Sequence, residues 1–318
     1  MGERTGIAWC TSSWSPWIGC TEVSPGCDAC YARVLDARYR YGGAAHWGPG
    51  VPRHRTSKST WKRPLTWDNK AFVSGERWTV FPSLCDPFDN EVPEVWRHDF
   101  WKLIQATPNL TWLLLTKRIG NAVKMIGEAR PHDDGRGAWP WSNVWIGASV
   151  VNQEEADRDI PKLLATPAAK RFVSYEPALG PVTWPGFNAG TSWCPICKAI
   201  VPDSVTSMHE VTHGVSIGDA YDPKKHTSSV YDLLHWVIVG GESNQGKHKA
   251  RPFDLAWARS TIEQCGAAGV PAFVKQFGSA PYDSSATHIP VDTLFIKDRA
   301  GADPSEWPED LRVQEFPT

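Results

Sequence analysis

The chain has 318 residues, 41% hydrophobic and 21% charged, with 33 Lys and Arg against 35 Asp and Glu, for a formal net charge of −2. That is a globular composition, long enough for one α/β barrel or two ordinary domains. The near-neutral balance excludes a general polyanion-binding coat but leaves room for a local basic groove. No run of about 18 apolar residues exists, and the opening MGERTGIAWCTSSW has no apolar signal-peptide core, which predicts a cytoplasmic protein with no membrane partner. The 18 tryptophans are expected as core and pocket-wall pieces.

The first feature in chain order is a cysteine loop, GCTEVSPGCDACYA, with Cys20, Cys27 and Cys30 separated by six and two residues. A helix is predicted to follow over 30–41. Short apolar runs then alternate with helical patterns. The predicted strands are 78–84, 111–116, 143–150, 171–175, 235–240 and 271–276, and the predicted helices are 93–106, 120–129, 153–165 and 253–268. The strands are continuously apolar, as expected of parallel strands covered on both faces. This alternation implies an α/β fold with right-handed crossovers, either a doubly wound sheet or an open or closed barrel. Ligands in such folds bind at the C-terminal strand ends. Those ends are polar here: Ser83–Cys85–Asp86, Thr116–Lys117–Arg118, Ser149–Asn152–Gln153, Ser174–Glu176, Gly240–Ser243 and Lys275–Gln276. A shared pocket is expected, with ordinary helix caps as the alternative.

The stretch 181–234, rich in Gly, Pro, Ser and Thr, is too long for a plain loop and reads as an inserted module. The tail 279–318 has prolines and no sustained periodicity, and is expected to pack over the rest as loops and short pieces.

Three thiolates from one loop can hold three irons of a [4Fe–4S] cube and leave the fourth iron open to a small molecule. Gly19 and Gly26 precede ligands, where backbone must approach closely. Two other readings stand beside it: a structural zinc completed by His46 or His54, and redox or structural thiols. A second constellation, Cys194-x2-Cys197-x11-His209-x3-His213, matches a tetrahedral C2H2 zinc arrangement, with both histidines on one helix face. Four protein ligands make such a zinc structural, and the insert would need it to fold. Its helix carries Asp203, Ser204, Thr206, Ser207 and Glu210 but no Arg or Lys, which argues against a DNA-reading finger and for a lid or docking knob. Lys224, Lys225, His226, Lys247, His248, Lys249 and Arg251 could form a modest basic rim or a solvated surface. Of Cys10, Cys85 and Cys265, at least two are expected to be ordinary buried thiols.

The blocks WSPWIGCTEVSPGCDACYA, TWLLLTKR, VWIGASVVNQEEADRDIPKLL, RFVSYEPALGP, WVIVGGESNQGKHKARP and PAFVKQFG, in that order, together with the tail DPSEWPEDLRVQEFP, resemble the phage Gp37/Gp68 family. That family is a radical S-adenosylmethionine-like group also described as three-Cys-motif proteins. The usual loop of radical S-adenosylmethionine enzymes has three residues in its first gap, where this chain has six. The resemblance implies a partial (β/α)6-type barrel over about 1–180 and 235–278, interrupted by the zinc-binding module at 181–234 and extended by 279–318. It also implies an enzyme whose [4Fe–4S] cluster cleaves S-adenosylmethionine to begin radical chemistry. By barrel position, Ser83 and Asp86 would lie near the methionine amino group, Ser149 and Asn152 near the ribose, and Arg158 near the carboxylate. Glu176, Glu242, Arg251 and Lys275 would face substrate. The implied partners are an electron donor, a nucleotide or nucleic-acid substrate and a protein partner, and the setting would be host cytoplasm for a phage-encoded chain. Two alternatives remain: a nucleic-acid- or partner-binding protein with purely structural iron–sulfur and zinc sites, and a redox iron–sulfur protein.

Overall fold

The computed structural model describes residues 1–129, 139–184, 191–194, 199–202, 234–285 and 296–318. Seven strands form one sheet: β1 (Ser12–Trp14), β2 (Trp78–Pro82), β3 (Leu110–Thr116), β4 (Val144–Val150), β5 (Lys170–Tyr175), β6 (Trp236–Gly240) and β7 (Ala272–Gln276). Every neighbouring pair is parallel, and the strands stand side by side in chain order. A doubly wound sheet would reverse that order at a switch point. Constant order instead winds one way, and the sheet curls into a half-barrel. Helices α1 (Tyr31–Tyr39) and α2 (Lys58–Ser74) lie between β1 and β2. Helices α3 (Glu94–Gln105), α4 (Ile119–Ala129) and α5 (Gln153–Leu164) separate β2 to β5 in turn, and α6 (Leu255–Ala268) separates β6 from β7.

Both faces of the sheet are covered, which is why its strands read as unbroken apolar runs. Val80, Trp112, Leu114, Ile146, Val150, Val173, Val237, Val239 and Val274 belong to the larger cluster, shared with the helices. Leu113, Trp145, Phe172, Trp236, Ile238 and Phe273 form a second cluster with Trp9, against which Phe81 and Leu115 pack. The pleat alternates between the two clusters along each strand. The same alternation places Ser174 and Lys275 two residues beyond Phe172 and Phe273, and Ser149 four beyond Trp145, on the second cluster's side of the sheet. Between Val239 and Gly240 the ladder to β7 shifts register: Val239 pairs with Val274, but Gly240 pairs with Gln276, so Lys275 is the extra residue.

The sequence reading of β2 to β7 and of α1 and α3 to α6 agrees with the structure to within a few residues at each end. It missed β1, which has three residues, and α2, which has 17. Helix α2 contains Pro64, which removes an intrahelical bond to the Thr60 carbonyl. The Trp14 indole Nε1 donates to that carbonyl at 2.8 Å, so the first strand satisfies the acceptor that the proline frees. Ser57 caps the helix start and Gly75, at φ 68°, ends it.

In the 181–234 stretch the described backbone includes an antiparallel pair, Thr191–Cys194 with Ala199–Pro202. The tail runs along the outer edge of β7: Val274 N donates to Val313 O and Glu315 N donates to Ala272 O, while Trp307 and Leu311 are buried. An otherwise open sheet edge is thereby paired. Among the described residues no helix is long and apolar enough to cross a membrane.

Candidate active site at the mouth of the half-barrel

The C-terminal ends of the strands surround a cavity of about 490 Å3. Its apolar side includes Ile7, Trp9, Phe81 and Leu115. Cys20, Cys27 and Cys30 line it from the loop that follows β1, and Cys85 lines it from the end of β2. Among the described residues no three or more His, Cys, Asp or Glu side chains converge as a site for a metal ion. The three loop thiols and Cys85 share this chamber.

Local structure explains the placement of the loop. Gly19 has φ 118°, and a Cβ there would lie 2.3 Å from the His46 carbonyl oxygen. A Cβ on Gly26 would lie 2.7 Å from Val151, so both loop glycines permit close approach. Gly19 N donates to Leu84 O, and Gly48 N donates to Cys20 O. Beneath the loop, the guanidinium of Arg53 is fully buried, with Nε 2.7 Å from Asp89 Oδ2. It also donates to Thr21 Oγ1 and to the carbonyls of His46, Gly48 and Val51. Cys27 lies in a short 3-10 turn, Pro25–Cys27, capped by Ser24.

The two sides of the cavity differ in how their charges are held. On the β2–β3 side, Asp86 Oδ1 accepts from Phe88 N at 2.9 Å and Thr116 Oγ1 at 2.6 Å. Asp86 Oδ2 accepts from Lys117 N and from Arg118 Nη1, each at 3.1 Å. Arg118 Nη1 also donates to Cys20 Sγ at 3.2 Å, and Nη2 donates to Thr21 O. Burial, with Asp86 adding to it, pushes the Cys20 thiol up to about 12 despite the Arg118 cation. Burial likewise raises Cys30 and Cys85. Without a metal these thiols stay protonated at neutral pH, so metal uptake there must release protons.

On the β4–β7 side, Lys117 Nζ donates to Ser149 Oγ at 2.6 Å, and Ser149 Oγ donates to Glu176 O at 3.3 Å. Glu176 Oε2 accepts from Ser174 Oγ at 3.0 Å, and Oε1 stands 2.9 Å from Lys275 Nζ. Farther along the rim, Glu242 accepts from Arg251 N, Nε and Nη2 and stands 3.2 Å from His248 Nε2. Burial raises the Glu242 carboxyl, but the Arg251 bonds and charge hold it below the usual range. Arg251 Nη1 donates to Pro25 O and to Asp28 Oδ2, both at 3.0 Å. One guanidinium thus ties the loop after β6 to the cysteine loop, across the open side of the half-barrel.

A family model spans nearly the whole of this fold, matching residues 4–301. The chain belongs to the family described as protein of unknown function DUF5131. No curated protein and no solved structure matches it.

Of the residues singled out from the sequence of this family member, Cys20, Cys27, Cys30, Ser83, Asp86, Ser149, Glu176, Glu242 and Lys275 all line the one cavity. Asn152 and Arg158 do not. Asn152 caps α5, accepting from Glu155 N at 3.0 Å. Arg158, 46% exposed at its side chain, pairs with Asp159 and Glu155 on the same helix. Both follow a strand end in sequence, but the first turn of α5 carries them away from the mouth. Asp86 lines the cavity with both carboxylate oxygens already engaged. Cys194 ends a strand of the insert, while Cys197, His209 and His213 lie outside the described residues. The sequence reading gave no role to Arg53, whose buried ion pair across 36 residues leaves no local signal. It counted Arg118 among the polar strand ends without connecting it to Cys20.

Proposed function

We propose that this chain is a radical S-adenosylmethionine enzyme, with Cys20, Cys27 and Cys30 as ligands of a [4Fe–4S] cluster. The observation that carries this reading is that three thiols of one loop line the mouth cavity of a parallel half-barrel. A cube takes each thiolate on a separate iron, so three ligands leave its fourth iron open toward the cavity, whereas a structural zinc would want a fourth protein ligand. When bound and reduced, a cluster with an open iron supplies the electron that cleaves S-adenosylmethionine.

The chain's own residues supply position and exclusion. Lys117 and Lys275 offer cations, and Ser149 and Glu176 offer acceptors, all within the upper half of the cavity. These groups suit a ligand carrying both an ammonium and a carboxylate. Trp9, Phe81 and Leu115 give the chamber an apolar side that keeps water from the reacting groups. Arg118, bonded to Cys20 and Asp86, and Arg251, bonded to the turn carrying Cys27, fix the loop against the two sides of the mouth. On spacing alone, Cys194, Cys197, His209 and His213 are proposed to hold a structural zinc.

Anaerobic reconstitution should yield about four irons per chain. Addition of S-adenosylmethionine and a strong reductant should release 5′-deoxyadenosine. A chain whose cluster is demonstrably reduced, yet which leaves S-adenosylmethionine intact, would refute the reading.

A further inference from the structure

The segment that follows the cysteine loop is unlike the rest of the chain: residues 31–63 hold eight Arg and Lys against one acid, Asp36, in a protein of net charge −2. Asp36 is buried and occupied by His46, whose Nδ1 stands 2.9 Å away. Arg53, Arg33 and Arg55 are committed to Asp89, Glu22 and Asp99. Arg38, Arg40, Lys58, Lys62 and Arg63 are exposed. The excess of cations in this segment is therefore exposed, and at the end of α1 Arg38 and Arg40 stand together without an acid between them.

Aromatic rings accompany these two arginines. Tyr39 is 56% exposed, its ring 5.9 Å from that of Tyr41, and the Arg38 guanidinium stands 5.4 Å from the Tyr39 ring. Tyr41 packs with Cys30 and Trp47 against a common small cluster, and both of those residues line the cavity. Helix α1, about 13 Å long at 1.5 Å per residue, starts at the cavity with Tyr31 and ends at Tyr39. An exposed ring bracketed by cations that have no ion-pair partner among the described residues offers a base a stacking face and its phosphates counter-charges.

We infer that the end of α1 and the turn after it bind single-stranded nucleic acid, with a base stacked on Tyr39 and the backbone held by Arg38 and Arg40. An acidic polypeptide would satisfy the cations but has no general use for the exposed ring. The surface leads to the mouth, so under the proposed function it names the substrate as a polynucleotide. Binding itself needs neither cluster nor S-adenosylmethionine.

The test is fluorescence anisotropy of the full chain with labelled oligo(dT) and oligo(U) of about twelve nucleotides, across a salt series. Tyr39→Ala should weaken binding about tenfold. The double variant Arg38→Gln/Arg40→Asn (Asn because φ at position 40 is 43°) should lower the slope of log affinity against log salt by about 1.4. Unchanged melting curves confirm intact variants. The inference is overturned if neither oligonucleotide binds, if both variants bind as the parent does, or if poly-glutamate of equal length binds as well and ignores Tyr39→Ala. Iron content and 5′-deoxyadenosine release without oligonucleotide test the catalytic reading alone, so either can fail while the other holds.

Discussion

The two sides of the mouth use charge differently. On the β2–β3 side, Asp86 and the buried Arg53 have nearly every polar atom committed to backbone or to a neighbouring side chain. On the β4–β7 side, Lys275 stands on Glu176 at the edge of the cavity, a quarter exposed. A fully engaged buried pair fixes a loop, and breaking it leaves a charge that water cannot reach. A pair whose cation keeps contact with water costs less to rearrange than a fully buried one, so Lys275 can exchange partners when a ligand arrives. The first side reads as a frame and the second as a receptor.

The largest expected effect tests the frame's purpose. Cys27→Ser should abolish iron uptake while leaving the proposed zinc, and Cys197→Ala should do the reverse, both read by metal analysis after anaerobic preparation. Simultaneous loss of both metals in either variant would show that one site, not two, is present. Next in size is Arg53→Met, which strands Asp89 in the interior and should cost about 3–5 kcal/mol in urea unfolding. A loss under about 1 kcal/mol would place this pair with the exposed ones and erase the contrast.

Lys275→Gln should behave oppositely. It should cost less stability than Arg53→Met, because water reaches Lys275 and Gln keeps a donor there, yet weaken S-adenosylmethionine binding measured by calorimetry. Unchanged binding would remove Lys275 from the receptor. The smallest effect is a pH dependence at the rim. Because Glu242 has its folded pKa below the ordinary 4.5, its ionised form stabilises the fold fully above about pH 4.5, and that share is lost as pH falls through the folded value. Glu242→Gln should therefore flatten the acid limb of the urea midpoint below about pH 4.5. If the limb is as steep as in the parent chain, the Arg251 tie draws nothing from this carboxylate.

Much of the frame could be read from the chain because it is built from repeats of one local pattern. Strand β4 has all seven residues buried and β3 five of seven, and runs this short, bounded by polar strand ends, read as parallel strands covered on both faces. Helix α2 escaped because its Pro64 is compensated by Trp14, a contact across 46 residues that no window along the sequence contains. The site divides similarly. Cysteine spacing pointed to the loop, and strand-end polarity pointed to Ser149, Glu176 and Lys275. Counting residues beyond a strand end failed at Asn152 and Arg158, since it takes no account of where the next helix begins. Arg118 on Cys20, and Arg251 on Pro25 and Asp28, depend on loops meeting only when the sheet curls.

The shifted register at the end of β7 has one more effect. A regular pleat sends adjacent side chains to opposite faces, so a strand terminus ordinarily delivers one functional group to the chamber it borders. Here both Lys275 and Gln276 reach the cavity, the latter donating from Nε2 to Gly241 O and Ser243 Oγ at 2.9 Å each. A single surplus residue doubles what the last strand contributes, supplying a cation and an amide side by side. Excising that residue would mend the ladder and halve the delivery.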